Sequence, residues 1–381
     1  MTQGNRVAAS HPINLPAVLL FSLSTLGLLT VFPWYAWTHE FSTGAWIAGF
    51  ILLYASGMSI TGGYHRLWAH RAYEAHWSLR LFYMLFGAMA FQNSILIWAS
   101  MHRVHHRHVD DVDHDPYSIR RGLWYAHLGW MIRDYPSAKL DFSNAPDLLQ
   151  DRMVMFQHRH YLVIALAMNV LFPLALGFAF GDPWGFLLVA GLLRLVVNHH
   201  FTFFINSLAH YWGRRPYTVA NTARDNDLLA LLTYGEGYHN YHHLFQWDYR
   251  NGVRWWQFDP TKWMIAALSW VGITRSLKRV PEFKIQRAML QRQFDTLHEQ
   301  IGKLENPGRL AVLQQQFERE LEAFKETVNA WSQLQSERLE MARSKLADRW
   351  AQSEMRHRIY LLEESLRLQR QRLEALHWQP A

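Results

Sequence analysis

The sequence predicts an all-α integral membrane protein. We expect four transmembrane helices, a cytosolic helical cap that holds a dimetal site, and a coiled-coil-like helical extension at the C-terminus. Three observations predict this architecture: four apolar runs are long enough to cross a bilayer, three histidine clusters lie beside them, and residues 283–376 are rich in Gln, Glu, Arg and Leu.

The four apolar runs form the predicted membrane stem. They cover residues 15–36, 41–64, 161–181 and 183–210, and their only charged residue is Arg194. Each run reaches the ~20 residues that a helix needs to cross the hydrocarbon core. We therefore assign residues 1–282 to a membrane domain whose cap comprises residues 65–160 and 211–282. Residues 283–381 form the extension.

The distribution of charge predicts how these helices are oriented. The connectors around Thr38–Glu40 and Gly181–Trp184 contain no Lys or Arg, whereas residues 65–160 and the chain after Arg214 are basic. Because cytoplasmic loops carry the excess of Lys and Arg, we expect the cap and both termini in the cytoplasm. A fifth apolar run, 81–101, would put the flanking histidine clusters on opposite sides if it spanned, so we expect it at the cytoplasmic face.

The composition limits the chemistry that the protein can perform. The chain has 22 histidines, no cysteine and a net charge of +7. A disulfide framework, an iron–sulfur cluster and a thiolate nucleophile are thereby excluded. Any metal must be held by nitrogen or oxygen, and imidazole suits iron, zinc, copper and nickel. Because the charge flanks apolar runs, we expect contact with membrane lipid and no nucleic-acid partner.

The three histidine clusters have the spacing of metal ligands. One is H-x4-H and two are H-x2-H-H: His65/His70, His102/His105/His106 and His239/His242/His243. Since helical positions i, i+3 and i+4 share a face, each H-x2-H-H cluster is expected to aim two or three imidazoles at one point. His65 and His70 are five residues apart, so they reach different metals or need a local kink. Eight imidazoles exceed what one tetrahedral zinc uses and favour two metals.

Other polar residues are placed around this predicted site. His210 adds a ninth ligand, and Asn206 lies one helical turn earlier, where it could hold a metal-bound water. His108 and His114 are expected to support the site or lie at the surface. Six carboxylates are available to orient the imidazole rings: Asp110, Asp111, Asp113, Asp115, Asp225 and Glu236.

The extension has an apolar seam with coiled-coil spacing. Its members step by three and four along the chain: Leu310, Leu313, Phe317, Leu321, Phe324, Val328 and Trp331. Asn306-Pro307-Gly308 is expected to break the helix and reverse its direction. Three roles remain open for this segment, which are oligomerisation, docking of a partner, or neither.

The residues around the histidine clusters resemble the acyl-CoA delta-9 (stearoyl-CoA type) branch of the membrane fatty-acid desaturase family, in a bacterial-like form. The resemblance covers roughly residues 60–250. Its most specific segments are GGYHRLWAHRAYEA, AFQNSILIWASMHRVHHRHVD, RRGLWYAHLGWM, NSLAHYWG and GEGYHNYHHLFQWDYRNG.

The resemblance implies a site and a reaction. Two iron ions would be held by the nine histidines, with Asn206 acting through a water, and an acyl tunnel would pass Gln92, Trp98 and Thr202. The implied reaction inserts a cis double bond, at the delta-9 position, into a saturated C16–C18 acyl chain. It uses O2 as co-substrate and two electrons from a donor.

The resemblance leaves the acyl carrier open among CoA, carrier protein and phospholipid. Ser100 stands where animal members have a basic residue, and Arg133 is followed by Asp134 where they have a basic pair. Phosphate-binding candidates remain: Arg103, Arg120, Arg121, Arg214 and Arg215. The chain has no haem or ferredoxin motif, so the donor is expected to be a separate ferredoxin- or cytochrome-type protein with an NAD(P)H reductase. In a bacterium, the enzyme would lie in the inner membrane.

Two other functions are compatible with the pattern. Hydroxylases and ketolases that act on other lipids or alkanes share the bare histidine spacing. A non-enzymatic membrane scaffold that stores zinc would also contain histidine clusters and a helical tail. The segments NYHHLF and NSLAHYWG favour the desaturase over both.

Overall fold

The computed structural model describes residues 11–302, 307–344 and 349–377. It divides into two units. Unit one runs up to Arg214 and resumes over Asn221–Arg279, and unit two comprises Arg215–Ala220 and the chain from Val280 onward. Among the described residues, the departure from the all-α prediction is a pair of two-residue antiparallel strands, β1 (Glu74–Ala75) and β2 (Thr274–Arg275).

Four helical segments of unit one are long and apolar enough to cross a membrane, as predicted. Their bounds are Leu15–Thr38, Thr43–Ala69, Arg152–Phe180 and Pro183–Tyr211. Large apolar side chains on the first segment, such as Leu23 and Leu29, are 63% and 69% exposed. Such exposure suits contact with lipid, since lipid takes the place of a protein core around a spanning helix.

The spanning segments are built from shorter helices with π-helical turns between them. The first is α1 (Leu15–Thr38), and the second is α2 (Thr43–Met58) followed by a π-helix, Ser59–Ala69. The third joins α6 (Arg152–Leu166) and α7 (Phe172–Phe180) through Ala167–Leu171. The fourth joins α8 (Pro183–Phe186), π-helical Leu187–Leu193, α9 (Arg194–Asn206) and α10 (Leu208–Tyr211).

Polar side chains define where these segments begin. Asn14, Ser42, Asp151 and Asp182 each accept a hydrogen bond from a backbone N–H of the helix they precede. Such N-caps satisfy donors that have no partner in the first turn of a helix. The third segment begins at Arg152, earlier than the predicted residue 161, because Asp151 starts the helix ahead of the apolar run.

The apolar run 81–101 is not a single helix. It is divided between α3 (Trp77–Met89) and α4 (Ile95–His108), and Phe91 and Asn93 between them have left-handed backbone angles. Two buried side chains of α9 hold this break: Arg194 donates to the carbonyl of Met89, and His199 Nε2 lies 3.0 Å from the carbonyl oxygen of Ala90. Neither helix reaches the length needed to span a bilayer, and the location of this run at the cytoplasmic face stays a prediction.

The remaining helices of unit one lie between and after the spanning segments. Short helical turns occur at Ile119–Arg121, Tyr125–Gly129 and Pro136–Ala138. The α-helices are α5 (Pro146–Leu149), α11 (Asp227–Leu232), α12 (His239–Leu244) and α13 (Pro260–Trp270). The core here contains buried Tyr64, Tyr83, Ile95 and Leu96.

Unit two consists mainly of three helices, α14 (Glu282–Ile301), α15 (Pro307–Ser344) and α16 (Arg349–His377), with a common apolar core. Leu313 and Phe324 of the predicted seam are buried in it, and Trp331 stacks on Phe283 at 4.5 Å between ring centroids. Asn306 and the side chain of Leu310 lie outside the described residues. The position of the predicted helix break is therefore known only from the residue at which α15 begins, Pro307.

Candidate metal centre

Four separate segments of unit one bring the nine predicted histidines together. His65 lies in the π-helix that ends the second spanning segment, and His70 follows its last residue. The second cluster is the last part of α4, His210 lies in α10, and the third cluster opens α12.

The π-helix explains the unusual spacing of the first pair. The N–H of His70 donates to the carbonyl of His65 at 3.0 Å, which is the i→i+5 bond of a π-turn. The two ring centroids are 4.7 Å apart. A local distortion of the helix therefore aims both imidazoles at one place, and the alternative that they reach different metals is wrong.

The nine imidazoles form two groups whose ring nitrogens converge. One group has five members, His65, His70, His102, His106 and His242, and the other has four, His105, His210, His239 and His243. The candidate ligand atoms of each group lie within 4.8 Å of one another. Each H-x2-H-H cluster contributes two imidazoles to one group, which agrees with the predicted two or three, and its remaining imidazole belongs to the other group.

The division follows the same pattern in both H-x2-H-H clusters. His102 and His106 are four residues apart and share the five-membered group, and His239 and His243 share the four-membered group in the same way. The residue at i+3, His105 or His242, turns to the opposite group. The rings of His106 and His243 stack with centroids 4.4 Å apart, so the two groups are neighbours.

Close approach of ring nitrogens marks the centre of each group. In the five-membered group, the Nε2 atoms of His70 and His102 are 2.8 Å apart and those of His242 and His106 are 2.9 Å apart. In the four-membered group, Nε2 of His239 lies 3.1 Å from that of His210 and 3.0 Å from that of His243. Neither group includes a carboxylate.

The outer ring nitrogens contact groups that orient the imidazoles. His105 Nδ1 lies 2.8 Å from Asp115, and His65 Nδ1 lies 3.0 Å from Glu236. His210 Nδ1 lies 2.9 Å from the hydroxyl of Thr222, which donates to Asp110. Such partners fix the tautomer and direction of a metal-binding ring.

The six predicted carboxylates have different positions. Asp110, Asp115 and Glu236 support imidazoles as described, and Asp225 accepts from the backbone N–H groups of Asn240 and Tyr241 in α12. Asp111 and Asp113 do not reach the site and lie at the surface. Two residues that contact the imidazoles were not predicted: Thr222, and Tyr117, whose hydroxyl is 3.3 Å from His102 Nδ1. Neither residue lies in a motif that would have identified it.

The neutral form of an imidazole binds metal, and burial favours that form. Burial, and then the neighbouring rings, hold the pKa values of six of them well below the usual histidine value: His70, His102, His106, His239, His242 and His243. An unprotonated ring has a free electron pair for a metal ion. Nine imidazoles in two adjacent groups fit two metal ions of a kind that prefers nitrogen.

A cavity of about 800 Å³ extends along both imidazole groups. Its wall contains His65 and His102 of one group and His105 and His239 of the other. The three predicted tunnel residues, Gln92, Trp98 and Thr202, also line it, and so do Asn206 and His199. Exposed Arg133, Asp134 and Lys139 line its opening.

Two interactions organise the cavity wall. Gln92 Nε2 donates to Thr202 Oγ1 at 2.9 Å, which joins the α3–α4 break to α9. The indole of Trp98 stacks on the imidazole of His102 with centroids 5.0 Å apart. The Gln92 amide and the Thr202 hydroxyl thus hydrogen-bond to each other. The aromatic face of Trp98 links the cavity wall to His102 of the five-membered group.

A second, smaller recess of about 390 Å³ reaches the five-membered group from another direction. It is lined by partly exposed His70 and His106, together with Arg71, Arg107 and Trp247. Arg103 also borders it but is engaged by Asp147.

The fold and the site define a class: a membrane-spanning helical protein with two adjacent polyhistidine groups on the wall of one cavity. The match to a family model identifies the family within this class. Residues 41–269 match the fatty acid desaturase model, and the chain belongs to that family.

Similar proteins are known from fungi and animals. The chain is 45% identical over 250 residues to acyl-CoA desaturase 1 of Saccharomyces cerevisiae, covering 65% of this chain and 49% of that one. It is 39% identical to the acyl-CoA Delta-9 desaturase of Acheta domesticus, covering 67% and 72%, and 37% identical to human stearoyl-CoA desaturase, covering 70% and 75%. The chain thus spans about half the length of the yeast relative.

Proposed function

We propose that the protein is an O2-dependent fatty-acyl desaturase that inserts a cis double bond at the delta-9 position of saturated C16–C18 chains, carried as acyl-CoA. The observation that carries the proposal is that one cavity is lined both by members of the two imidazole groups and by apolar side chains. Its volume lies in the ~300–1,000 Å³ range of sites that enclose small molecules. The names of the relatives support the same reaction.

The two metal ions in this proposal are iron. The five-membered and four-membered groups would each hold one, and Asn206 on the cavity wall would act through a water. Bound iron supplies the reduction of O2 and the removal of hydrogen from an unactivated methylene. The protein's own part is to aim the imidazoles inward, through Asp115, Glu236 and Thr222.

The cavity wall would position the acyl chain. A methylene group offers no hydrogen bond for recognition, so the position of the double bond follows from how far the chain extends past the imidazole groups. The Gln92–Thr202 hydrogen bond fixes the separation of two wall segments.

The opening of the cavity supports CoA as the carrier. Exposed Arg133 and Lys139 provide positive charge for phosphate there. Ser100, at the family's basic position, bonds to Asp141 and Asn144 instead. Among the other predicted arginines, Arg103 is paired with Asp147 and Arg214 with Asp227.

The proposed orientation places the imidazole groups and both termini in the cytoplasm, with the spanning segments in contact with membrane lipid. The distribution of Lys and Arg supports it. A separate electron donor would then approach from the cytoplasm. The recess beside His70 and His106 offers a short path to the five-membered group, and Arg71 and Arg107 favour a donor with an acidic face.

Product analysis tests the proposed reaction. Cells that express the protein are fed saturated acyl chains of several lengths, and their lipids are analysed beside cells that express His105→Ala. We expect cis-9 monoenes from C16 and C18 chains only with the wild type. An alcohol or ketone in place of the olefin would refute the desaturase and indicate a hydroxylase or ketolase.

Filling the cavity should block long acyl chains. Thr202→Trp is expected to lower turnover of C18 substrate at least about tenfold, since the indole would occupy the space of the chain. Thr202→Val keeps the volume but loses the hydrogen bond to Gln92, so we expect a smaller loss of activity than in Thr202→Trp. Product formed per bound iron checks this prediction, and equal turnover by the two variants would contradict it.

Reversing the charge beside the second recess should slow reduction. The double variant Arg71→Glu/Arg107→Glu is expected to lower the rate at which an acidic cytochrome b5 or ferredoxin reduces the iron by about tenfold or more at low salt. Reduction by dithionite should not change. The matched control is Arg254→Glu/Arg275→Glu, two exposed arginines elsewhere in unit one; the same loss there would refute the assignment of this surface.

Deletion of residues 283–381 should leave the metal centre intact. All nine histidines and the groups that orient them belong to unit one, and the helices of unit two have a core of their own. The truncated protein is expected to bind as much iron per chain as the full chain, measured by metal analysis. Loss of iron would show that the extension is needed for the site.

A further inference from the structure

A third cluster of metal-binding side chains lies outside the two imidazole groups. His108, Asp111 and His114 each present a ligand atom, and these atoms lie within 4.8 Å of one another. The three residues have the spacing H-x2-D-x2-H: His108 is the last residue of α4, and Asp111 and His114 lie in the loop that follows. His108 and Asp111 are partly exposed and His114 is exposed, so a cation could reach them directly from solvent.

The loop holds the carboxylate and the two rings in place. Asp111 Oδ1 accepts from the backbone N–H groups of Asp113 and His114, at 2.8 and 3.2 Å. That leaves Oδ2, which lies 2.9 Å from His114 Nδ1. The rings of His108 and His114 stack with centroids 5.2 Å apart. A cation could take the place of the proton between Asp111 and His114, because the ligand atoms of the three residues already lie close together.

This arrangement differs from an ordinary acidic turn. Asp141 accepts from the backbone and side chain of Ser143 in a similar turn, but it belongs to no cluster with imidazoles. Two imidazoles and one carboxylate with open positions are the donor set of zinc and related transition metals, and magnesium and calcium prefer oxygen throughout.

We propose that His108, Asp111 and His114 bind one divalent transition cation of the zinc and cobalt class, separately from the nine imidazoles. The site takes no part in the proposed desaturation. A cation bound at this site would affect the structure around it, because the opposite face of the same loop contacts the metal centre.

The buried face of the loop carries Asp110 and Asp115. Asp115 lies beside His105, and it also accepts from the backbone N–H of Asp110. Asp110 accepts from Thr222, the partner of His210. A cation on the outer face would therefore restrain a loop whose inner face orients two imidazoles of the four-membered group.

Metal binding to the iron-loaded full chain in detergent tests the proposal. Cobalt is added under anaerobic conditions, and cobalt and iron per chain are both measured after equilibrium dialysis. We expect one cobalt per chain with no loss of iron. Asp111→Asn and His114→Gln should each weaken cobalt binding at least about tenfold. Asp113→Asn, the matched control, loses a neighbouring exposed carboxylate and should bind like the wild type.

Two results would overturn the proposal. One is cobalt uptake that is matched by loss of iron, which would place the cobalt in the nine-imidazole site. The other is equal binding by Asp111→Asn and Asp113→Asn. Hydrogen exchange gives a second measurement with zinc as the probe: amides of residues 109–114 should exchange more slowly with zinc in the wild type but not in His114→Gln, which keeps the turn around Asp111.

Discussion

Replacement of His105 by alanine is expected to abolish desaturation and to leave the protein folded in the membrane. His105 Nε2 lies 3.3 Å from that of His243 in the four-membered group, and its other nitrogen contacts Asp115. Alanine removes a ligand that no neighbouring side chain can replace. We expect loss of iron from this group and activity at least about a hundredfold lower, measured as iron per chain and as monoene product.

Two further variants separate the ligand role from general damage. His39→Ala changes an exposed imidazole in the connector after α1, and it should leave iron and product unchanged. Asp115→Asn keeps His105 but weakens its outer partner, so a smaller loss, about tenfold to a hundredfold in iron affinity, is expected. Normal product from His105→Ala would refute its assignment as a ligand.

The spanning segments could be predicted because lipid imposes a simple rule on composition. A helix that crosses a bilayer needs a long run without charge, whatever its partners. The ends were less predictable. The second segment continues past residue 64 to Ala69, because a buried π-helix carries Arg66 and His65 inside the protein where Glu236 and Asp259 neutralise the charge.

The identity of the clustered histidines could also be read from the sequence, but their division between two groups could not. Spacing gives the direction of side chains on one helix. Which neighbouring helix lies on each side decides whether His105 joins His102 or His243, and that depends on tertiary packing. Glu236 was among the predicted carboxylates, but its pairing with His65 was hidden for the same reason, since the two residues lie far apart along the chain. The contact of Thr222 with His210 was not predicted.

The conformation of the His65–His70 segment falls between these cases. A spacing of five does not fit one face of an α-helix. The sequence therefore indicated either that the two imidazoles reach different metals or that the helix is locally distorted. The structure has the distortion, and the small residues Gly62 and Gly63 allow it to pack. A Cβ atom on Gly63 would lie 2.7 Å from Tyr83, so the π-helix and α3 could not approach as closely with any other residue.

Removal of the Glu236 carboxylate is expected to destabilise the protein strongly. Glu236 is 1% exposed, accepts from Arg66 at 2.9 Å and from Asn251, and lies beside His65. Burial alone raises its pKa, but His65 and Arg66 bring the pKa below its usual value, so the group is an anion in the folded protein. Glu236→Ala would leave the buried Arg66 with Asp259 as its remaining carboxylate.

The size of this effect follows from the cost of an incompletely neutralised buried charge. Breaking a buried ion pair by removing one partner costs about 3–5 kcal/mol. The same substitution frees His65 from its outer contact, so iron affinity should fall about tenfold to a hundredfold as well. A lower midpoint of thermal unfolding and less iron per chain are the expected measurements.

Two comparisons make the result specific to burial and position. Asp227→Asn removes a carboxylate whose side chain is 55% exposed and paired with Arg214, and such a pair contributes less than about 1 kcal/mol. Glu236→Gln keeps the shape and can still accept one hydrogen bond, but its amide must turn N–H groups toward either Arg66 or His65. The loss of stability in Glu236→Gln should therefore lie between the losses in Asp227→Asn and Glu236→Ala. If Glu236→Ala unfolded at the same temperature as Asp227→Asn, the buried network would not stabilise this fold, and the orientation of His65 would have to come from the π-helix alone.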